Sequence, residues 1–255
     1  MLTIKYKAGL LALGLMVTPF GWANDATAKQ QGDISAEIGL VSKYIYRGGE
    51  ENDKVAVQGG VEYAHPSGWN VGYWGSTLNY QPKNDRQHGF EHDLYVGYGR
   101  ELNQDWSYAT QLVSYIYQGG GTVYSEDRTE KRRSTGLELI NTLNYQDLSL
   151  ALTVMISDVN YANAGDVYLS AAYSYALPQD FALNTSLGYT IYNKDRDDAI
   201  VVTQKNEKFT EARLGLSKDF ANSGVSVVVD YIWGGRDRYQ QRLDEYAVFG
   251  INYSF

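Results

Sequence analysis

Between Ile34 and Phe255 the chain repeats one pattern about twelve times: roughly ten to twelve residues that alternate apolar with polar, and then a turn. The last repeat places Ala247, Phe249 and Ile251 on one face and polar or small residues on the other. Successive side chains of a β-strand point to opposite faces, so each repeat predicts a strand with one apolar and one polar face. A long series of such strands predicts an all-β fold, a transmembrane antiparallel β-barrel of about 12 strands.

The composition agrees with a barrel and argues against a bundle of membrane helices. Of the 255 residues 44% are hydrophobic, and no stretch beyond the N-terminus approaches the ~20 apolar residues that a membrane-spanning helix needs. Only half of each barrel strand would face lipid, which explains this moderate average. The 23 tyrosines and 5 tryptophans also fit, because such rings gather at membrane interfaces. The alternative, a soluble β-sandwich, would have shorter and less uniform strands.

The connections between the predicted strands alternate in length. Even-numbered strands are followed by tight turns rich in Gly, Pro, Asn, Asp and Ser, at 65–68, 102–105, 146–147, 178–180 and 221–224. Odd-numbered strands are followed by longer, charged loops, at 48–53, 81–88, 118–133, 158–165, 194–208 and 234–243. Outer-membrane barrels have short periplasmic turns and longer extracellular loops, so both termini are predicted to be periplasmic.

The first predicted strand is the longest of the series. It runs from about Asp33 to Arg47, and its alternation places Tyr44 and Tyr46 on the apolar, outward face. Lys43 and Arg47 then belong to the polar face, which points into the barrel.

The N-terminus has the features of a secretory signal peptide. Lys5 and Lys7 precede a short apolar run, and small residues lead up to Ala23. Cleavage after Ala28 is the alternative to cleavage after Ala23. The predicted division of the chain is a signal peptide (1–23), a short periplasmic segment (24–32) and a barrel in a bacterial outer membrane (33–255).

Charge and cysteine content exclude several kinds of function. The chain has no cysteine, which excludes disulfides, a thiolate nucleophile and cysteine-ligated metals. A formal net charge of -8 argues against nucleic acid as a partner. We predict no cofactor and no resident metal. The acidic loop segments 50–53 and 195–198 are either solvated loop charges or weak sites for Ca²⁺ or Mg²⁺ beside lipopolysaccharide, since hard cations prefer oxygen ligands.

The inward side chains are predicted to carry the function. Eight strands give a barrel filled by side chains and sixteen or more leave a wide channel, so about twelve predict a narrow lumen. Acids outnumber bases at the inward positions, which favours cations. The sequence therefore predicts a porin for passive diffusion of small polar, cationic or zwitterionic solutes. The residues predicted to line its lumen and constriction are Lys43, Arg47, Glu62, Asp93, Tyr95, Glu138, Arg213 and Asp230.

Two other functions are compatible with the same pattern. The inward charges could pair across a plugged lumen, which leaves a structural or adhesive barrel that works through its loops.

The second alternative is a lipid hydrolase. If paired residues of strands four and five sum to about 206, His92 faces Ser114 on the outer surface, which puts a base beside a nucleophile. The sequence offers no clear third group to orient the histidine.

The C-terminal strand predicts partners. Phe255 ends the chain and Tyr253 lies on the same face, and this ending resembles the C-terminal signature that the barrel assembly machinery recognises. An ordinary edge strand that ends in an aromatic residue is the alternative. We predict a monomer whose partners are that machinery, outer-membrane lipids and lipopolysaccharide, and small polar solutes.

The first third of the chain carries a series of short motifs: VSKYIYRG at 41–48, AVQGGVEY at 56–63, HPSG at 65–68, GYWGS at 72–76 and DLYVGY at 93–98. In these motifs the chain resembles the TorF-type porin family, proteobacterial outer-membrane barrels of unknown function. This resemblance covers residues 33–98, and beyond them it rests on architecture. The resemblance implies a small porin or channel barrel without defined catalytic residues.

Overall fold

Twelve β-strands close into one antiparallel barrel within the residues that the computed structural model describes, 32–80, 88–124, 128–129, 131–194 and 201–255. In chain order the strands are β1 (Asp33–Val41), β2 (Tyr44–Tyr46), β3 (Gly49–Asn52), β4 (Ala56–Ala64), β5 (Trp69–Leu78), β6 (Gly89–Glu101), β7 (Trp106–Tyr117), β8 (Thr122–Tyr124), β9 (Lys131–Arg133), β10 (Gly136–Tyr145), β11 (Leu148–Met155), β12 (Val167–Leu177), β13 (Phe181–Ile191), β14 (Glu207–Phe220), β15 (Val225–Gly234) and β16 (Glu245–Ser254). The pairs β2–β3 and β8–β9 are separate two-stranded hairpins. The predicted signal peptide lies outside the described residues.

Each barrel strand pairs with the next barrel strand along the chain, and β1 closes the ring by pairing with β16. The closing register sets Glu37 opposite Ser254 and Val41 opposite Gly250. Closure leaves the barrel without a sheet edge, so each of its twelve strands has neighbours on both sides for its backbone hydrogen bonds. The predicted barrel of about 12 strands is confirmed. Across the described ranges the chain has no helix long and apolar enough to span a membrane.

The two ends of the barrel differ in their connections. The turns 65–68, 102–105, 146–147, 178–180 and 221–224 all lie at one end, which we call the short-turn end. The longer connections lie at the other, the long-loop end. Asp33 and Ser254 both lie at the short-turn end, where β1 begins and β16 ends. The alternation of connection lengths read from the sequence is therefore confirmed.

Side chains alternate sharply between the inside and the outside of the barrel. Phe249 is 59% exposed, whereas its neighbour Val248 in the same strand is 1% exposed. The outer surface carries a belt of exposed aliphatic residues that includes Ile38, Leu152 and Leu216. An apolar belt of this kind on a closed barrel matches the hydrocarbon layer of a membrane.

Outward aromatic side chains form pairs at both ends of this belt. At the short-turn end the ring centroids of Trp69 and Tyr98 are 5.3 Å apart and those of Trp106 and Tyr145 are 4.7 Å apart. At the long-loop end the centroids of Tyr231 and Trp233 are 4.7 Å apart. Such girdles sit where hydrocarbon meets the lipid headgroups, because the rings combine an apolar body with a polar edge.

The predicted extent of the first strand is wrong. β1 ends at Val41, and the chain then turns into the barrel instead of continuing along the wall. Tyr44, predicted to face outward, is 3% exposed inside the barrel, and Tyr46 also lies inside. The alternation runs on through these residues because they do form a strand, but it belongs to the β2–β3 hairpin.

The apolar belt predicts a position-dependent cost for a charge. Leu152 lies near the middle of β11 and is 42% exposed, and we expect Leu152→Arg to lower the free energy of unfolding by about 2–4 kcal/mol in lipid vesicles. Leu102→Arg, in the turn at 102–105, is the matched control, and its cost should stay below about 1 kcal/mol. Equal losses of unfolding free energy for the two variants in urea titrations would contradict the presence of the apolar belt.

Candidate functional site

The β2–β3 hairpin (Tyr44–Asn52), called the lumen hairpin below, is folded inside the barrel at the long-loop half. Ile45 is 2% exposed and packs in an apolar cluster with Val228, Ile232 and Val248 of the barrel wall. Burial of a side chain of this size stabilises the docked hairpin by about 1.5–3 kcal/mol. On another wall the side-chain amide of Asn52 donates to the Thr77 carbonyl at 2.8 Å. The hairpin is thus anchored to the wall at its base.

The tip of the lumen hairpin is a two-residue turn. Tyr46 pairs with Gly49, and the two residues between them, Arg47 and Gly48, have positive φ angles of 48° and 75°. Positive φ at both central positions is the geometry of a type I′ turn, which fits the twist of paired strands. A Cβ on Gly48 would lie 2.9 Å from the carbonyl oxygen of Thr210 on β14, so the tip approaches the wall backbone closely.

Arg47 ties the tip of the hairpin to the far wall. Its two terminal nitrogens donate to the two carboxylate oxygens of Glu138, each at 2.8 Å. Its guanidinium lies 4.7 Å from the ring centroid of Tyr46 and 4.5 Å from that of Tyr168. The Tyr115 hydroxyl donates to the same glutamate at 2.9 Å. A planar guanidinium is suited to this paired contact and to stacking on aromatic rings.

A second ion pair supports the hairpin from β14. Arg213 donates to one carboxylate oxygen of Glu211 through two nitrogens, at 2.8 and 2.9 Å, and to the Ile45 carbonyl of the hairpin at 3.2 Å. The Tyr168 hydroxyl donates to the other Glu211 oxygen at 2.9 Å. Tyr168 therefore connects this pair to Arg47, whose guanidinium it faces. Hydrogen bonds and this cation–π contact together form a network that crosses the lumen.

The β5–β6 side of the lumen carries acids instead of ion pairs. Glu91 and Asp93 point inward from β6 and are 3% and 8% exposed. Glu51 of the lumen hairpin lies near Glu91 and accepts a hydrogen bond from the Tyr80 hydroxyl. Burial raises the pKa of Glu51 above its ordinary value, and that hydrogen bond partly offsets the effect. Across the described part of the chain these three acids form no ion pair.

The short-turn half of the lumen contains a layer of small polar groups, which we call the polar vestibule. Side-chain hydrogen bonds run around it, for example from Ser174 to Asn184 at 2.8 Å and from Asn184 to Ser217 at 3.0 Å. Near the β1–β4 wall the Asn70 amide donates to Glu62 at 2.8 Å. The inward residues of this half that remain partly exposed include Glu37, Glu62, Tyr95, Asn144, Ser174, Asn184 and Ser217.

The predicted lumen residues fall at different levels. Arg47, Glu138, Asp93, Arg213 and Asp230 lie inside the barrel at or near the level of the hairpin. Glu62 and Tyr95 lie together in the polar vestibule, where they share a hydrogen bond. The structure does not bring Lys43 to Arg47.

Lys43 lies at the base of the hairpin. It contacts Glu50 at 3.0 Å, and its side chain is 33% exposed. The ammonium group also donates to the Asp53 carbonyl at 3.1 Å.

Several contributors escaped prediction. Tyr44 and Tyr46 were assigned outward by strand parity, and Trp74 lies where the alternation of β5 blurs. The spacing of Glu211 and Arg213 is a usable signal, because residues two apart on a strand share a face. The adjacent turn-forming pair Arg47-Gly48 could have indicated the hairpin tip.

The long loops are held by two buried arginines. Arg132 donates to the carbonyls of Val159 and Ala162 and to the side chain of Asn163, at 2.7–3.1 Å. Arg238 donates to Asp166 at 2.6 Å. These contacts tie the long loops to one another through charged groups that are already engaged.

The acidic loop segment 50–53 does not assemble a metal site with the other described residues. Glu50 contacts Lys43, Glu51 contacts Tyr80, and Asp53 accepts from Asn79 at 2.5 Å. In the same ranges, no three His, Asp or Glu side chains are grouped so as to hold a metal ion. The segment 195–198 lies outside the described residues.

The proposed pairing of His92 with Ser114 is wrong. His92 faces Ile116 across the β6–β7 pair, and Ser114 faces Leu94, so the register is two residues away from the predicted one. A ring nitrogen of His92 lies 2.9 Å from the Tyr73 hydroxyl. Base and nucleophile are therefore not set opposite each other.

Comparison with known families assigns this chain to a family of bacterial proteins. The sequence pattern of a family described as "Bacterial protein of unknown function (Gcw_chp)" matches residues 25–248. The chain belongs to this family. No curated protein matches it in sequence. The resemblance to the TorF-type porin family stays a prediction.

Solved structures share the barrel at low sequence identity. The KdgM porin is 12% identical with a TM-score of 0.52, and the match covers 87% of this chain and 99% of that one. KdgM in complex with disordered oligogalacturonate gives 10% identity and a TM-score of 0.49, over 87% and 98%. OprD from Pseudomonas aeruginosa gives 13% and 0.42, over 87% and 66%. The KdgM likeness shows a shared fold.

The pair Arg47–Glu138 should be the strongest attachment of the hairpin. Arg47→Met leaves the Glu138 carboxylate, 2% exposed, without its cation, and we expect the free energy of unfolding to fall by about 3–5 kcal/mol in lipid vesicles. Lys43→Met removes the same charge from a partly exposed pair and should cost less than about 1 kcal/mol. A smaller loss for Arg47→Met than for Lys43→Met in urea titrations would contradict this role.

Proposed function

We propose that the protein is a narrow outer-membrane channel for passive diffusion of small polar solutes, with a preference for cationic or zwitterionic ones. The observation that carries the proposal is the division of the lumen into two levels. A polar vestibule, partly exposed, occupies the short-turn half, and the lumen hairpin narrows the long-loop half. A wide entrance and a charged constriction are the parts that a selective diffusion channel needs.

The polar vestibule supports permeation because its lining suits water. Asn and Ser side chains at inward positions keep unsatisfied donors and acceptors that water can serve. Small side chains such as Ser174 and Ser217 also leave room that Leu or Phe would fill. The outer residues of the same strands are apolar, so the polarity is confined to the inside.

The charges at the hairpin level support cation preference. Arg47 and Arg213 are each engaged by a glutamate, so their positive charge is largely compensated. Glu51, Glu91 and Asp93 have no such compensation among the described ion pairs. A lumen with excess negative charge lowers the energy of a passing cation and raises that of an anion.

The surroundings of the barrel follow from the same proposal. The short-turn end and both ends of the strand series face the periplasm, and the long loops lie outside beside lipopolysaccharide. The rings of Tyr253 and Phe255 stack at a centroid distance of 5.6 Å on the outer surface. This exposed aromatic pair offers a surface to the barrel assembly machinery, and the closed barrel functions as a monomer. The fold shared with the KdgM porin is consistent with a channel.

A plugged structural or adhesive barrel is the second candidate. The observation in its favour is the apolar cluster around Ile45, Val228, Ile232 and Val248, which fills one side of the lumen. The hydrolase alternative has no supporting geometry, because His92 and Ser114 are not paired.

Refolded protein in planar lipid bilayers should give discrete conductance steps. In a salt gradient the reversal potential should have the sign of a cation-preferring pore, because the uncompensated acids attract cations. Replacing residues 44–52 by three glycines should raise the step size by about twofold or more, since the constriction is removed. Steps from the shortened variant alone would favour the plugged barrel. The absence of conductance steps from both the wild-type protein and the shortened variant would overturn the channel.

A single introduced cysteine can test whether water fills the polar vestibule, because the chain has no cysteine of its own. Ser217→Cys points inward, and its neighbour Leu216→Cys points outward into the apolar belt. A trimethylammonium methanethiosulfonate should modify Cys at 217 and not at 216. The negatively charged sulfonate analogue should react several-fold more slowly with Cys at 217, because an acidic lumen repels anions. Equal reaction at both positions, or none at 217, would contradict a wet vestibule.

A further inference from the structure

We propose that the β5–β6 wall beside the lumen hairpin is a binding site for small organic ammonium ions that also carry a neutral acceptor oxygen, such as amino alcohols. The inference names a solute class for the proposed channel and rests on that function for the route of entry. We call the site the ammonium wall and define it by Trp74, Glu91, Asp93, Tyr44 and Tyr117.

The ammonium wall has buried polar atoms that no described protein group satisfies. Asp93 is 8% exposed, and its Oδ1 accepts no hydrogen bond from the described residues. Oε2 of Glu91, which is 3% exposed, likewise accepts no hydrogen bond, and the indole N–H of Trp74 donates none to the described residues. Buried groups of this kind are rare in native proteins and costly unless something else serves them. Their arrangement on one wall points to a ligand.

The unsatisfied groups belong together in the sheet. Trp74 on β5 is the direct cross-strand partner of Asp93 on β6, and both side chains point inward. Glu91 is two residues from Asp93 on the same strand and the same face, and the two carboxylates are close enough to interact. The result is two carboxylates and one N–H donor on the same inward face of neighbouring strands.

Aromatic rings complete the wall. Tyr44 of the lumen hairpin packs edge-on against Trp74, with ring centroids 5.7 Å apart. The hydroxyls of Tyr44 and Tyr117 hydrogen-bond to Glu91, which fixes its orientation. Tyr117 in turn packs against Tyr161 at 5.9 Å. Carboxylates for charge and aromatic faces for the methylene groups next to it are the features that recognise an organic ammonium ion.

The chemistry distinguishes among possible cations. Ca²⁺ needs six to eight oxygen ligands, and the described residues contain no cluster of three metal-ligating side chains. The indole N–H of Trp74 can only donate, so it disfavours a bare metal ion and matches an acceptor oxygen on the ligand. A carboxylate on the ligand would be repelled by Glu91 and Asp93. A primary ammonium group next to a hydroxyl satisfies all three groups.

The experiment is calorimetric titration of refolded protein in detergent micelles with ethanolamine, ethylene glycol and ethylamine. Ethanolamine should bind the wild-type protein, whereas ethylene glycol, which lacks the charge, should not bind at up to roughly 10 mM. Asp93→Asn should weaken ethanolamine binding about tenfold or more, since it removes a charge-assisted hydrogen bond. Glu245→Gln, at the exposed rim, is the matched loss of one negative charge and should change affinity by less than about twofold.

The donor group gives an independent test. Trp74→Phe should weaken ethanolamine binding by about threefold or more and leave ethylamine binding nearly unchanged, because only ethanolamine offers an acceptor to the indole. A difference in gel mobility between unheated and heated samples verifies that each variant folds. The wild-type comparison of ethanolamine with ethylene glycol does not depend on any variant.

The outcomes separate this site from the channel. The ammonium wall is overturned if wild-type protein does not bind ethanolamine. It is also overturned if ethanolamine and ethylene glycol bind with equal affinity, or if Asp93→Asn and Glu245→Gln lower the affinity for ethanolamine equally. Conductance steps without ethanolamine binding overturn the site and leave the channel. Binding in micelles without conductance steps overturns the channel and leaves a solute-binding barrel.

Discussion

A closed barrel gives each inward side chain only two kinds of surroundings: water, or whatever the chain itself places in the lumen. The lumen hairpin decides between them level by level. Where it is docked, inward residues such as Glu138 and Ile232 are almost completely buried. Where it is absent, Asn184 and Ser217 remain partly exposed, whereas Asn70 and Asn252 are buried beside the glutamates to which they donate. The position of this one hairpin therefore accounts for much of the difference between the two halves of the lumen.

Burial by the hairpin also explains why the charges come in two classes. Arg47 and Arg213 enter a space where an unpaired charge would cost several kcal/mol, at least about 3 for a broken buried pair, and each has a glutamate within 2.8 Å. The β6 wall lacks such partners, so Asp93 stays uncompensated among the described residues. Paired charges hold the hairpin in place, whereas the acids of the β6 wall have no cationic partner among the described residues.

The barrel was predictable because its physical rule is local. Alternation between lipid and lumen acts on every residue of every strand, so twelve strands and their alternating connections could be read directly. The lumen hairpin could not be predicted in this way. Its strands show the same alternation as the barrel strands, but their apolar side chains contact protein instead of lipid. The tyrosines at 44 and 46 carry the same pattern in either place. The His92 pairing failed for a different reason: a register depends on turn geometry, which Leu102 to Asp105 do not specify tightly.

The candidate site shows the same division between local pattern and tertiary contact. Parity correctly turned Asp93 and Glu138 toward the lumen, but it could not tell that one would meet Arg47 and the other would not. That difference arises because the hairpin tip reaches β10 and its Tyr44 side reaches β5. Because the guanidinium of this arginine is held between Tyr46 and Tyr168 next to Glu138, the acids on the opposite wall remain without a cationic partner among the described residues. The asymmetry of the lumen therefore follows from where one side chain is docked.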